Sequence, residues 1–225
     1  NATQLDQYEI DRNNIAKDAT THLSADHKFG TISVRETYHA IAYAGSQNTA
    51  LIRQLYWRDF FSHIAFFFPH VFGAAFYPTQ SPSKWSTSKT HFDAWCNGQT
   101  GYPLVDAGMR ELNATGFMHN RVRMLTASFL VKDLNISWRW GERYFATRLV
   151  DYDPAVNNGN WQWVAGTGAD HQPYIRVFSP TLQAKRFDGD CLYIKKWVKE
   201  LADVSPKEIF TFEQTKKRLS PLYPL

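Results

Sequence analysis

The chain reads as an all-α protein, and three observations carry that reading. Helix start and stop signals follow one another along almost its whole length. Strand-like alternation of apolar and polar residues is nearly absent, and no repeat, low-complexity tract or Pro/Gly/Ser-rich linker divides the chain. Eight or so short helices with no sheet imply helix-on-helix packing around a shared core.

Taken in order, Ser33 with Glu36 three residues on is a capping box and opens a helix that ends near Gly45. A second helix covers 49–68 and is stopped by Pro69, which lacks a backbone donor. Pro103 takes a first-turn position, and Gly116 closes that helix after Thr115. Further helices are expected over 120–133, 137–149, 154–163, 191–201 and 206–214. Asp153 before Pro154 joins a good N-cap to a good first residue. The end at Leu225, just after Ser-Pro-Leu-Tyr-Pro, reads as an interruption rather than a natural stop.

Composition narrows the function classes. At 225 residues the chain supports one full core or two small ones. The aromatic fraction of 16%, with 8 Trp, 11 Tyr and 16 Phe, suits a core built around a planar ligand, or simply a ring-rich core. A net charge of +4 and a pI near 9.0 favour a polyanionic partner without selecting one. Two cysteines, Cys96 and Cys191, have no metal-like spacing, so neither a disulfide scaffold nor a metal site is expected. A reducing, intracellular compartment fits them. The apolar run over 64–76 is broken by Pro69 and His70 and is too short to span a bilayer, so no membrane partner is expected. No signal peptide is recognisable.

Three segments offer chemistry. Thr20, Thr21, His22, Leu23 and Ser24 place three hydroxyls and several backbone N–H groups together, as a phosphate-holding loop or an ordinary turn would. Arg121 and Arg123 lie on different faces of a helix that starts at Asn120. Arg123 can turn inward to a buried carboxylate, while Asn120, Arg121 and Met124 share the opposite surface; the alternative is a solvated basic helix. Asp151-Tyr152-Asp153 followed by Asn157-Asn158-Gly159-Asn160-Trp161-Gln162-Trp163 could bond the edge of a heterocycle beside packed rings, although Asn-Asn-Gly ordinarily marks a turn.

Four stretches together resemble the photolyase/cryptochrome family: 101–110 (GYPLVDAGMR), 118–132 (MHNRVRMLTASFLVK), 138–143 (WRWGER) and 157–163 (NNGNWQW). They look most like class I cyclobutane pyrimidine dimer photolyases, and the likeness runs from about Tyr8 to Pro224. The resemblance implies an all-α, multi-helix FAD-binding domain over 1–225, without the N-terminal α/β antenna domain and incomplete at both ends of a parent protein.

It further implies that Tyr8 and the Thr20–Ser24 loop hold the FAD diphosphate, and that Arg58, Arg123, Asp151, Tyr152 and Asp153 surround the flavin. Asn157 is implied beside flavin N5, with Arg123 and Asp151 as an ion pair. Trp161, Trp138 and Trp85 are implied as an electron chain from the surface. Trp57 and Trp163 are implied to line the lesion pocket, and Asn120, Arg121, Met124, Arg12 and Gln183 to touch lesion or backbone. Lys185 and Arg186 are expected to add phosphate contacts. Gln54 stands where dimer photolyases usually carry a glutamate, Ala50 replaces a family tryptophan, and Phe117 replaces another aromatic.

The function implied is light-driven repair of cyclobutane pyrimidine dimers in UV-damaged DNA by a monomer. A separate chain is the possible source of the antenna domain and its chromophore. The rival is a cryptochrome-type blue-light photoreceptor that binds FAD without repair, and Gln54 is its best support.

Overall fold

The computed structural model describes residues 2–44, 49–77, 85–169 and 177–211. Twelve α-helices form among them. They are α1 (Ala2–Asp11), α2 (Ser24–Phe29), α3 (Val34–Tyr43), α4 (Thr49–Phe67), α5 (Lys89–Cys96) and α6 (Pro103–Thr115). Then come α7 (Asn120–Ser128), α8 (Trp138–Ala146), α9 (Pro154–Ala165), α10 (Pro180–Phe187), α11 (Leu192–Trp197) and α12 (Pro206–Ile209). Ser86 and Ile136 make an isolated parallel bridge, and the described residues contain no strand beyond it. The all-α expectation holds.

The local signals explain most ends. The Ser33 hydroxyl accepts from the backbone N–H groups of Arg35 and Glu36, while Glu36 Oε2 accepts from Ser33 N at 2.9 Å. The α3 helix closes at Tyr43, and Gly45 lies outside the described residues. Pro69 ends α4 but also opens a 3-10 turn over Pro69–Phe72. Gly116 caps α6 with φ 71, a left-handed geometry that costs glycine little. The expected helix over 120–133 is α7 continued by a π-helical turn at Phe129–Asp133.

Other expectations need correction. The 191–201 stretch is split: Cys191 sits at φ 57, α11 ends at Trp197, and a 3-10 turn follows at Lys199–Leu201. The α12 helix stops at Ile209, and position 214 is outside the described residues. Helices α1, α2, α5 and α10 escape the sequence reading, so the count rises from about eight to twelve. Ser179 and Pro180 form an N-cap and first-turn pair for α10, the same local start signal as at Asp153 and Pro154.

The core centres on α6, whose Leu104, Val105, Ala107, Met109 and Leu112 are buried against α7 and α11. A small second cluster of Ile41, Leu51 and Leu55 ties α3 to α4. The α9 helix lies between α4 and α8, and two glycines set how closely they meet. A Cβ on Gly141 would fall 2.1 Å from Trp161 Cη2, and one on Gly159 would fall 2.1 Å from Phe61 Cδ1. Asn-Asn-Gly is therefore helix interior rather than a turn, because Gly159 is where α4 presses in.

Candidate functional site

Half of the amides in α9 are structural. Gln162 Nε2 donates to the carbonyls of Val71 and Ala74 at 2.9 and 3.1 Å, and Asn158 Nδ2 donates to Val71 O at 3.1 Å. Phe76 N returns a bond to Gln162 Oε1. These bonds satisfy a turn that would otherwise bury bare carbonyls. Asn157 faces elsewhere. It is buried, its Nδ2 donates to Glu142 O and Oε1 at 3.1 and 3.2 Å, and Oδ1 is left for a further donor. Burial raises the Glu142 pKa.

Arg123 turns inward. Its Nε donates to Met118 O at 2.7 Å, and its two terminal nitrogens donate to Asp151 at 3.1 and 2.9 Å. This bidentate fork fixes the chain entering α9 against α7. Two residues on, Asp153 caps α9 by accepting from Val156 N at 3.0 Å. Tyr152 between them is half-buried, and burial raises its pKa.

The Thr20–Ser24 loop reaches this centre through Phe117. The His22 ring lies 4.8 Å from that of Phe117, and the Arg123 guanidinium sits 5.5 Å from the same ring. Thr21, His22 and Ser24 are exposed, Thr20 and Leu23 half-buried, and His22 holds φ 54. Phe117, read from sequence only as a departure, is the link between loop and ion pair.

Other cations gather around Arg121. Burial lowers the Arg121 pKa, and the nearby charges of Arg12 and Arg186 lower it further. Arg121 donates to Asn13 Oδ1 and lies 4.4 Å from the Phe187 ring, while Arg12 lies 5.9 Å from the Tyr8 ring. Guanidinium groups held this close favour a polyanion between them. His119, the N-cap of α7, is a site feature that the sequence reading missed. Its Nδ1 accepts from Arg121 N at 3.1 Å, and its buried Nε2 makes no hydrogen bond of normal geometry among the described residues, although the Arg12 backbone lies close enough to favour the protonated ring. Burial, opposed by the Arg12 backbone and reinforced by Arg121, Arg123 and His22, pushes its pKa down to about 4.

The remaining candidates divide between interior and surface. Trp161 and Trp138 are 2% and 3% exposed, whereas Trp85 is only partly buried against the main core. Trp57 is exposed and packs on Phe60 and Phe61; Trp163 is partly buried. Asn120 and Met124 are neighbours, with Nδ2 3.8 Å from Sδ. Gln54 donates to Ala50 O at 2.9 Å along its own helix. Gln183 is half-buried on α10. Arg58 turns to Asp59 at 3.2 Å, yet its charge also lowers the His27 pKa after burial has done so, which puts it beside α2. Among the described residues no helix is long and apolar enough to cross a membrane.

Hydroxyls of the Thr20–Ser24 loop, the Arg123–Asp151 pair and the Asn157–Glu142 pair are polar groups held by α7 and the entry to α9. The fold is a helical domain that brings the Thr20–Ser24 loop, Phe117 and the Arg123–Asp151 pair together. The family model described as the FAD binding domain of DNA photolyase matches residues 51–223, and the chain belongs to that family. It is 45% identical over 215 residues to a deoxyribodipyrimidine photo-lyase of Salmonella typhimurium, covering 92% of this chain and 46% of that protein. A solved archaeal photolyase from Sulfolobus tokodaii with two FAD molecules superposes with TM-score 0.86 at 51% identity, covering 91% of this chain and 46% of that one. A Synechocystis cryptochrome gives TM-score 0.88 at 34% identity, covering 97% and 47%. The chain spans about half the length of the relatives it matches.

Proposed function

We propose that this chain is the FAD- and DNA-binding half of an enzyme that repairs cyclobutane pyrimidine dimers with light. The observation that carries the reading is the mutual closeness of the Arg12, Arg121 and Arg186 charges, with Arg121 two residues along α7 from the Arg123 that pairs with Asp151. Clustered guanidinium groups need anions, and a DNA backbone beside a cofactor diphosphate provides them.

Thr20, Thr21 and Ser24 are the hydroxyls that would bond the diphosphate, with Tyr8 and the backbone of His22 and Leu23 beside them. Arg123, Asp151, Tyr152, Asp153, Asn157 and Arg58 would hold the flavin. The electron that opens the dimer ring and returns afterwards is the chemistry FAD supplies when bound. The protein's part is to position and shield. Trp57 and Trp163 would receive the flipped bases, each stack contributing roughly 1–3 kcal/mol. Flipping costs least where pairing is already distorted, which selects damage without reading sequence. Asn120, Arg121, Met124, Arg12 and Gln183 would meet the lesion and its phosphates, and Gln54 would bond the damaged base. Trp85, Trp138 and Trp161 would return oxidised flavin to its working state.

Higher identity to the photolyases, 45% and 51%, than to the cryptochrome, 34%, supports repair over signalling. An α/β antenna half, whether joined or supplied by a separate chain, fits the coverage of about half of each relative. Exposed Phe66, Phe67 and Phe72 are surface that such a half would cover. The test is purified protein with reduced FAD, blue light and an oligonucleotide carrying one thymine dimer. Restored thymine under light, and none in the dark, supports the proposal. Flavin binding without preference for damaged DNA would leave the photoreceptor reading.

A further inference from the structure

We propose that Phe187 and Asn13 are positioning residues that hold Arg121, beside Arg12 and Arg186, as an unneutralised guanidinium cluster for a DNA backbone. The proposal rests on the reading of these arginines as DNA contacts.

The observation is the kind of partner each arginine has. Arg121 donates to Asn13 Oδ1, and its guanidinium lies 4.4 Å from the centre of the Phe187 ring. Arg186 lies 5.2 Å from the same ring, and Arg12 lies 5.9 Å from that of Tyr8. An amide and two rings are neutral, so the cluster keeps its full charge. Elsewhere in the chain an inward-turned arginine meets an acid: Arg123 meets Asp151 at 2.9 Å, and Arg110 meets Glu200 at 2.7 Å. Among the described residues no carboxylate forms an ion pair with Arg12, Arg121 or Arg186. The acids next to them in sequence are turned away. Asp11 pairs with Lys17 at 2.8 Å, and Asp188 accepts from the backbone N–H groups of Tyr193 and Ile194 at 3.0 and 2.9 Å.

Like charges on long side chains swing apart unless something holds them. Phe187 can hold them because its own ring is anchored, packed against the main core at the C-terminal end of α10. The face of a ring attracts a cation through its quadrupole and leaves the charge uncancelled. Asn13, two residues beyond α1, adds a directional hydrogen bond. A carboxylate in either place would hold Arg121 more firmly but would cancel the charge that a phosphate needs. Side chains already oriented lose less entropy when the anion arrives. Neither Phe187 nor Asn13 has to touch DNA to do this.

The test is equilibrium binding of flavin-loaded protein to a labelled duplex carrying one thymine dimer, over a range of salt concentrations, with a melting curve for each variant. Phe187→Leu keeps apolar bulk but removes the ring face. It is expected to bind roughly tenfold more weakly at about 0.1 M salt, with the slope of log K against log salt smaller by about one, as one lost phosphate contact requires. Phe187→Tyr keeps the ring and should stay within about twofold of wild type. Asn13→Ala changes a half-buried position outside any helix, so it reads the same effect if Phe187→Leu does not fold. It should also weaken binding and lower the slope. Undamaged duplex should show the same relative loss, because backbone contacts position the protein and do not identify the base. Wild-type affinity and slope in every variant that folds, even with a lowered melting temperature, overturns the proposal and returns Phe187 to core packing. Wild-type protein that binds neither duplex overturns the DNA-contact reading itself, and the proposal with it.

Discussion

Arg123 and Asp151 meet through two hydrogen bonds of 3.1 and 2.9 Å, with 5% of the Asp151 side chain exposed. Removing one partner strands the other's charge where water cannot fully reach it. Asp151→Ala is expected to cost roughly 3–5 kcal/mol of unfolding free energy. Removing Arg123 as well should recover part of that loss, because the stranded charge goes with it. Urea unfolding of the two single variants and the double variant measures both effects. A loss below about 1 kcal/mol in Asp151→Ala would place the pair among solvent-screened bridges.

Gly141 exists for Trp161. An added Cβ would sit 2.1 Å from Trp161 Cη2 and 2.6 Å from Leu130 Cδ2, neither of which has slack in a packed core. Gly141→Ala should cost about 1–3 kcal/mol by overpacking. It should also displace the Trp161 ring, and a changed tryptophan emission spectrum would report that. A stable variant with unaltered emission contradicts the tight α8–α9 seam.

On the proposed reading, Gln54 limits the efficiency of repair. Its amide can donate to a base carbonyl that gains charge but cannot transfer a proton to it, so stabilisation is reduced rather than lost. In the structure that amide donates to Ala50 O, a bond it must release to reach a base. Gln54→Glu is expected to raise the yield of dimer repair per absorbed photon with little change in stability. If yield is unchanged and damaged DNA is bound no better than intact DNA, the photoreceptor reading gains.

His119 predicts an acid limit. Its pKa is pushed down to about 4 in the folded chain, against an ordinary value of 6.5. Below pH 6.5 the unfolded chain takes up a proton that the folded chain refuses until about pH 4. Stability from this group is therefore present above pH 6.5 and lost as pH falls towards 4, by about 3 kcal/mol in total. His119→Gln should flatten the slope of unfolding free energy against pH in that window. An unchanged slope would show that other groups set it.

Helix type and many helix ends were legible in the sequence because they depend on neighbours along the chain. The Ser33–Glu36 box, the Pro103 start, the Gly116 cap and the Asp153 cap all act within one turn. Family membership was legible for a related reason, since residues such as 118–132 and 157–163 keep their order and spacing whatever packs around them. What only the tertiary structure decided is which side of a helix meets what. Asn157 and Asn158 are adjacent, yet one bonds Glu142 and the other holds Val71 O, 87 positions away. Trp95 gave no local signal, and its place against Trp161 arises from α5 and α9 meeting across the core. Phe117 likewise joins the Thr20–Ser24 loop to Arg123 only once the chain has folded. Capping and breaking are short-range effects written in a few consecutive residues. Ring contacts and buried ion pairs follow from burial of apolar area, which is non-directional and settles its partners only when all the helices are in place.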